Sequence, residues 1–384
     1  MAGDASYDVV VVGAGVFGAW IALHLARREQ RVLLVEAYGP AHSRASSGGE
    51  SRIIRMSYGP DEIYTRWSSN SLAQWQTLFA EMGEKLFHQT GVLWLAAEDG
   101  STLDESAVNL RQYNLKHEIL QRRELESRYP QFNFDQVSRG LLEPESGVLL
   151  ARRAVACAVE AALRKGVELK IAQIQPPGSA ELRDFIETAT GERIHSRDFV
   201  FACGPWLPKL FPEVLGDRIF PTRQEVFFFA TPPGDSRFAA PALPTWLFQS
   251  DEVYGMPNIE SRGLKFARDR HGDLIDPDMQ SRLVSPEAAA WARDYMACRF
   301  PALKDAPIVE TRVCQYENTS NGDFLIDRHP EFSNVWFVGG GSGHGFKHGP
   351  AVGNYIADMV LGVGTPEPRF SLAKKETTRK RTVH

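Results

Sequence analysis

The 384-residue chain is poor in several features, and each shortage closes a class of function. Its four cysteines, Cys157, Cys203, Cys298 and Cys314, have no metal-like or redox-pair spacing, so neither a metal site nor a disulfide framework is expected. Three of them, Cys157, Cys203 and Cys298, read as buried thiols of a reducing compartment. The net charge of -5 offers no basic field for nucleic acid. No long apolar run exists to span a membrane. The one beginning at Val9 is broken by glycines, and it suits a buried strand and helix better than a signal peptide. The last residues do not spell a Ser-Lys-Leu address, and the cluster from Lys374 to Arg381 reads as a solvated tail. Repeats and low-complexity tracts are absent. A soluble cytoplasmic protein, monomeric and without membrane partners, is the expectation.

With 43% hydrophobic residues, this length can bury a large core, most simply in two domains. The informative segments lie near the two ends. Tyr7–Val12 is an apolar strand that runs into Gly13-Ala14-Gly15-Val16-Phe17-Gly18. Gly13 and Gly15 let backbone approach a pyrophosphate, Gly18 lets the next helix pack close, and the helix N-terminus faces the phosphates. A second strand ends in Glu36, at the spacing of roughly 20 residues that suits an acid binding ribose hydroxyls, which disfavours NADP. NAD and FAD both remain open at this point. Near the other end, Val335–Val338 runs into Gly339-Gly340-Gly341-Ser342-Gly343-His344-Gly345-Phe346-Lys347, so one nucleotide site is built from both ends.

Between them the pattern alternates. A helix is predicted over Glu62–Met82 and a strand over Phe87–Leu95. A helix over Ala151–Lys165 closed by Gly166, a strand over Val167–Ile174, and a hairpin ending at Cys203-Gly204-Pro205-Trp206 follow. Pro221–Val309 reads as strands with a helix over Ser285–Cys298. The expected fold is α/β (α+β). A Rossmann-like cofactor domain is assembled from residues 1–85, 147–217 and 312–384, and an antiparallel-sheet substrate domain from 86–146 and 218–311.

Ser51-Arg52-Ile53-Ile54-Arg55, Tyr58-Gly59, Cys203-Gly204-Pro205-Trp206, Cys314-Gln315-Tyr316, Asp323-Phe324-Leu325-Ile326-Asp327 and Gly343-His344-Gly345-Phe346-Lys347 occur in order over nearly the whole chain. In this the sequence resembles the FAD-dependent amine oxidases of the D-amino-acid-oxidase (DAO) family, within the branch of monomeric sarcosine, N-methyltryptophan and pipecolate oxidases. The resemblance implies FAD bound covalently through Cys314 sulfur at the flavin 8α-methyl carbon. Attack needs a thiolate in an electropositive setting, for which Arg312, two residues upstream, is a candidate. It gives Glu36 the adenosine ribose. Besides Gly13, Gly15 and Gly18, cofactor contacts then fall on Val16, Phe17, Ala37, Arg44, Ser47, Arg52, Ile174, Gly340, Gly343, Gly345, Phe346 and Lys347.

The same resemblance assigns catalytic roles. Arg55 and Lys347 clamp a substrate carboxylate, a task suited to a planar guanidinium and a second cation. Arg52 sits beside the flavin, Lys265 promotes the reaction with O2, and Tyr254 and Tyr316 bound the substrate cavity. His344, inside the glycine loop, is a tempting base but suits a backbone hydrogen bond equally. Where sarcosine oxidases carry two histidines, this chain has Gly48 and Asp269. An enlarged pocket, with an acid able to pair with a substrate ammonium, is the expected result. The implied activity is oxidation of a secondary (N-methyl, N-alkyl or cyclic) amino acid to an imine, with hydrogen peroxide as co-product. The alternatives are a dehydrogenase that passes electrons to a quinone or protein, an oxidase of glycated amino acids, and a flavoprotein without catalysis.

Overall fold

The structure, a computed structural model, describes residues 7–97, 101–178 and 184–378. One sheet is mainly parallel and runs in the order Leu325–Arg328, Val335–Gly339, Arg193–Phe201, Tyr7–Val12, Val32–Glu36, Glu168–Ile171. Only its outer strand Leu325–Arg328 and the hairpin arm Phe185–Glu187 pair antiparallel. Its central strand is Val-rich and buried because helices cover it, as parallel strands require. Helix Val16–Ala26 is buried over ten successive residues, Val16 to Leu25, and packs against helices Ala151–Arg164 and Gly349–Val360.

The second sheet has eight strands, in the order Ile308–Asn318, Phe220–Phe229, Leu264–Arg268, Val253–Met256, Thr245–Phe248, Val92–Ala96, Arg139–Glu143, Glu118–Gln121. All neighbours are antiparallel except Thr245–Phe248 with Val92–Ala96. Phe227, Trp246, Phe248 and Phe266 form its core with Ala292 and Met296 of helix Pro286–Arg299. That helix begins at Ser285, whose Oγ accepts the Ala288 N–H at 3.1 Å. A small third sheet joins Arg52–Ile54, Gly147–Leu149 and Phe87–His88, and it carries Arg52.

Several expectations need adjusting. The strand read over Phe87–Leu95 is two, Phe87–His88 in the small sheet and Val92–Ala96 in the large one, because Gly91 at φ 70° turns the chain between them. The strand read over Val167–Ile174 stops at Ile171, and Ile174 makes an isolated bridge to Thr188. Of the three thiols expected to be buried, only Cys157 is. Cys203 is half-buried, and Cys298 is exposed because helical periodicity turns it away from the face that Ala292 and Met296 bury. The basic tail is not wholly solvated either. Lys375 is buried, its Nζ donating to Asn321 Oδ1 at 3.1 Å and to the Arg369 carbonyl at 2.9 Å, while Arg379, Lys380 and Arg381 lie outside the described residues.

Candidate active site

The glycine turn after Tyr7–Val12 leaves no room for a side chain at Gly13 or Gly18. Gly13 has φ 102°, and a Cβ there would lie 2.5 Å from the Ala202 carbonyl oxygen; one on Gly18 would lie 1.7 Å from that of Gly13. The helix that follows starts at Gly15 with no side-chain cap, so its first N–H groups are free for an anion. Glu36 stands at the end of the neighbouring strand, Oε2 accepting the Ala14 N–H at 2.7 Å and Oε1 the Tyr38 N–H at 3.1 Å. These surround a cavity of about 300 Å³. An uncapped helix N-terminus, a cradle without Cβ atoms and a fixed acid at the strand end fit a dinucleotide.

Of the cofactor residues expected, Gly13, Gly15, Val16, Phe17, Glu36, Ala37, Arg44, Ser47, Arg52, Ile174, Gly343, Gly345 and Phe346 line this cavity, as does Tyr316. Gly18 supports the turn from beneath, and Gly340, at φ 68°, packs against Thr319. Cys314 and Lys347 are not in the cavity wall. Gln173, Trp206, Gln315, Glu317 and Gly341 line it without having been assigned a cofactor contact.

Arg52 connects the cavity to Cys314. Its Nη2 donates to the Ser46 carbonyl at 2.6 Å and to Cys314 Sγ at 3.3 Å, and Nη1 to the Ser51 carbonyl at 2.8 Å. The cation beside Cys314 is therefore Arg52. Arg312 turns to Glu310 (2.6 Å) and Glu50 (3.0 Å) instead, since two carboxylates hold its guanidinium. Lys265 is buried, with Nζ 2.8 Å from the Ser51 carbonyl and 3.1 Å from Ser51 Oγ. Burial, and then the charge of Arg52, brings its ammonium down to about 7. A second cavity of about 40 Å³ touches Lys265, with Phe228, Met256 and Arg262 in its wall.

Arg55 and Lys347 meet around Tyr58. The Arg55 guanidinium carbon lies 4.2 Å from the Tyr58 ring centre and 4.7 Å from that of Trp94, and the guanidinium donates to the Ser57 carbonyl. Lys347 Nζ donates to Tyr58 Oη at 2.6 Å and to the His344 carbonyl at 2.9 Å. Burial first, then Arg55, holds the Lys347 ammonium well below the ordinary lysine value, with Asp269 and Glu143 acting the other way. Tyr316, which also lines the large cavity, donates through Oη to Asp269 Oδ1 at 3.1 Å. Burial raises the Asp269 carboxyl, opposed by Arg55, Tyr316 and Lys347. Tyr254 adjoins Tyr316. Arg55, Tyr254 and Lys347 thus gather next to the cavity, outside its wall, with Tyr316 as the link.

The chain matches the family model described as "DAO: FAD dependent oxidoreductase" over residues 8–359. It belongs to that family. It is 31% identical over 370 residues to monomeric sarcosine oxidase of Streptomyces avermitilis, covering 94% of this chain and 96% of that one. It is 30% identical over 391 residues to peroxisomal sarcosine oxidase of Homo sapiens, covering 97% and 96%. Among solved structures, L-proline dehydrogenase from P. horikoshii superposes with a TM-score of 0.82 at 21% identity, over 96% of this chain and 97% of that one, which bears on the fold alone.

In this DAO-family protein one expectation about the site changes, and one of two open alternatives is favoured. Gly48 opens no space, because a Cβ there would lie 2.1 Å from the His42 carbonyl oxygen, so backbone fills the place of a side chain. His344 is held through both nitrogens, Nε2 3.1 Å from the Gly322 carbonyl and Nδ1 3.3 Å from Tyr58 Oη, which fits the structural alternative. Glu143 had been missed. Its carboxylate accepts the Met56 N–H at 2.6 Å, the Ser57 N–H at 3.1 Å and Trp94 Nε1 at 3.2 Å, and so fixes the segment that presents Arg55. Its one signal in the sequence is a lone acid at the end of the apolar strand Arg139–Glu143.

Proposed function

We propose that the chain is an FAD-dependent oxidase of a secondary amino acid, N-methyl, N-alkyl or cyclic, that forms an imine and passes electrons to O2. The observation that carries this reading is the pairing of buried Arg55 and Lys347 about the Tyr58 ring, next to Tyr316. A buried guanidinium beside a buried amine that can take up a proton suits a ligand carboxylate. The 31% identity to a sarcosine oxidase supports an N-alkyl substrate.

FAD, held by the cavity residues, would supply the acceptor for a hydride, one hydrogen nucleus with its two bonding electrons, from the carbon beside the substrate nitrogen. Arg55 and Lys347 hold the carboxylate and so fix which carbon is presented. The substrate ammonium must first lose a proton, and Lys347, with its lowered value, accepts it as the carboxylate arrives. Tyr254, Tyr316 and Asp269 bound the nitrogen side. Arg52, 3.3 Å from Cys314 Sγ, puts a cation beside the sulfur that covalent attachment would use. Lys265, in contact with its own small cavity, supplies positive charge where O2 gains an electron. The parallel sheet serves as the cofactor unit and the eight-stranded sheet as the substrate unit of a cytoplasmic monomer.

Mixing the purified protein without oxygen with sarcosine, L-pipecolate, L-proline, N-methyltryptophan and fructosyl-glycine in turn, followed by air, tests the reading. Bleaching of the flavin absorbance by one secondary amino acid, with rapid return and peroxide in air, is expected. Bleaching that air does not reverse selects the dehydrogenase, and no bleaching by any of the five removes the small-amino-acid reading. Acid precipitation should leave the yellow colour with the protein and release it from a Cys314→Ser variant.

A further inference from the structure

Glu317 lies one residue beyond Tyr316 and was assigned no role by the motifs. It is 8% exposed and stands in the wall of the large cavity. The Gly340 and Gly341 N–H groups hydrogen-bond to its carboxyl, but Oε2 is buried and has no partner. That oxygen lies where the backbone carries no side chains, 3.3 Å from a Cβ built on Gly339 and 3.6 Å from one built on Gly204. No cation is among the groups that act on its ionisation. The ionisable groups that share its surroundings are Cys203, whose thiol is held well above its ordinary value by burial and then by Glu36 and Glu317, and Glu36 itself. Arg44, Arg52, Lys209 and Asp278 also line the cavity, but none of them acts on Glu317's ionisation, and an ionised carboxylate with an orphan buried oxygen and no counter-cation of its own is a poor host for a cofactor that carries a pyrophosphate.

We propose that Glu317 is a cofactor-binding residue that meets FAD as the neutral acid, its Oε2 hydroxyl donating a hydrogen bond to an acceptor on the cofactor. One proton then enters with each FAD whenever the free protein holds Glu317 ionised. Burial pushes its carboxyl up to about 7, which places that condition in the weakly alkaline range. The inference rests on the FAD of the family and on no statement about the substrate.

The test uses the full flavin-free chain carrying Cys314→Ala, so that binding is reversible, and needs no turnover. FAD is titrated by calorimetry at pH 8 in two buffers of different ionisation enthalpy, and by fluorescence quenching from pH 6 to 9. Proton uptake close to one per FAD is expected at pH 8, with affinity falling about tenfold per pH unit above pH 7. Adding Glu317→Gln, which keeps a donor but cannot titrate, should remove that uptake and flatten the fall. Equal uptake and equal slopes in the two proteins would overturn the proposal. Should the Gln variant not fold, the parent alone decides, since uptake near zero at pH 8 refutes it. A chain that binds FAD in this way yet is bleached by no amino acid would refute the substrate reading and leave this one standing.

Discussion

Lys265→Met separates the cost of burying an amine from the chemistry it performs. In the unfolded chain this lysine has its ordinary value of 10.5, and in the fold about 7. A lowered lysine penalises the folded state, and its stability contribution is recovered as pH rises toward 10.5 and lost as pH falls toward 7. Between these values the unfolded chain holds one more proton, so stability climbs by about 1.4 kcal/mol per pH unit from this group alone. At pH 8 the penalty is about 3 kcal/mol. Methionine escapes it while giving up the two hydrogen bonds to Ser51, worth about 1 kcal/mol together, because the Ser51 carbonyl keeps Arg52 Nη1 at 2.8 Å. The variant should therefore be about 2 kcal/mol more stable at pH 8, an advantage that disappears by about pH 9.5. Urea unfolding of the flavin-free proteins at pH 7.5, 8.5 and 9.5 measures this. Curves for wild type and variant that shift in parallel with pH would refute the argument. With FAD in place, the same substitution should slow reoxidation by O2 about 10²- to 10³-fold and leave anaerobic bleaching intact.

Arg55→Met and Lys347→Met should each lower kcat/KM for the amino acid about 10- to 100-fold, with little change for the same amine lacking its carboxylate; equal losses on both would remove the clamp. Lys347→Met should in addition shift the rise of bleaching rate to higher pH, toward the free substrate amine, as stopped-flow absorbance would record. Gly18→Ala, with a Cβ 1.7 Å from the Gly13 carbonyl oxygen, should cost about 3 kcal/mol or more in urea unfolding and abolish FAD retention. Tyr64→Phe removes the donor 2.7 Å from Asp323 Oδ1 but leaves Arg369 at 2.9 Å, so a loss of about 1–2 kcal/mol is expected rather than collapse.

The cofactor cradle was legible because its information is local. Strand, glycine turn, helix and Glu36 follow one another within one short segment, and Gly13 and Gly18 each have a steric reason that a sequence can carry. Arg52, Arg55 and Lys347 stood out only through motifs whose resemblance suggested the roles proposed for them. What escaped depends on distant backbone. The Glu143 carboxylate reaches Met56 across 87 positions, and Arg52 reaches Cys314 across 262, a pairing that local spacing gave to Arg312. Gly48 suggested space because a glycine lacks a side chain, but the His42 carbonyl occupies that volume. Glu317 gave no signal at all: an acid in a strand reads as solvent-facing until the glycines around it are placed.

The strand Ile308–Asn318 is paired without interruption to its neighbour from Asn318 to Glu310, and its irregularity is confined to the end near Phe229, away from Cys314. Side chains alternate across a strand, so Cys314 and Tyr316 share one face while Gln315 and Glu317 share the other. A single residue deleted just before Cys314 would exchange the two sets, bringing Gln315 to the place of Cys314 and Glu317 to the place of Tyr316. The roles proposed for Cys314, Tyr316 and Glu317 would then be lost together, so a length change in this strand costs more than any one substitution.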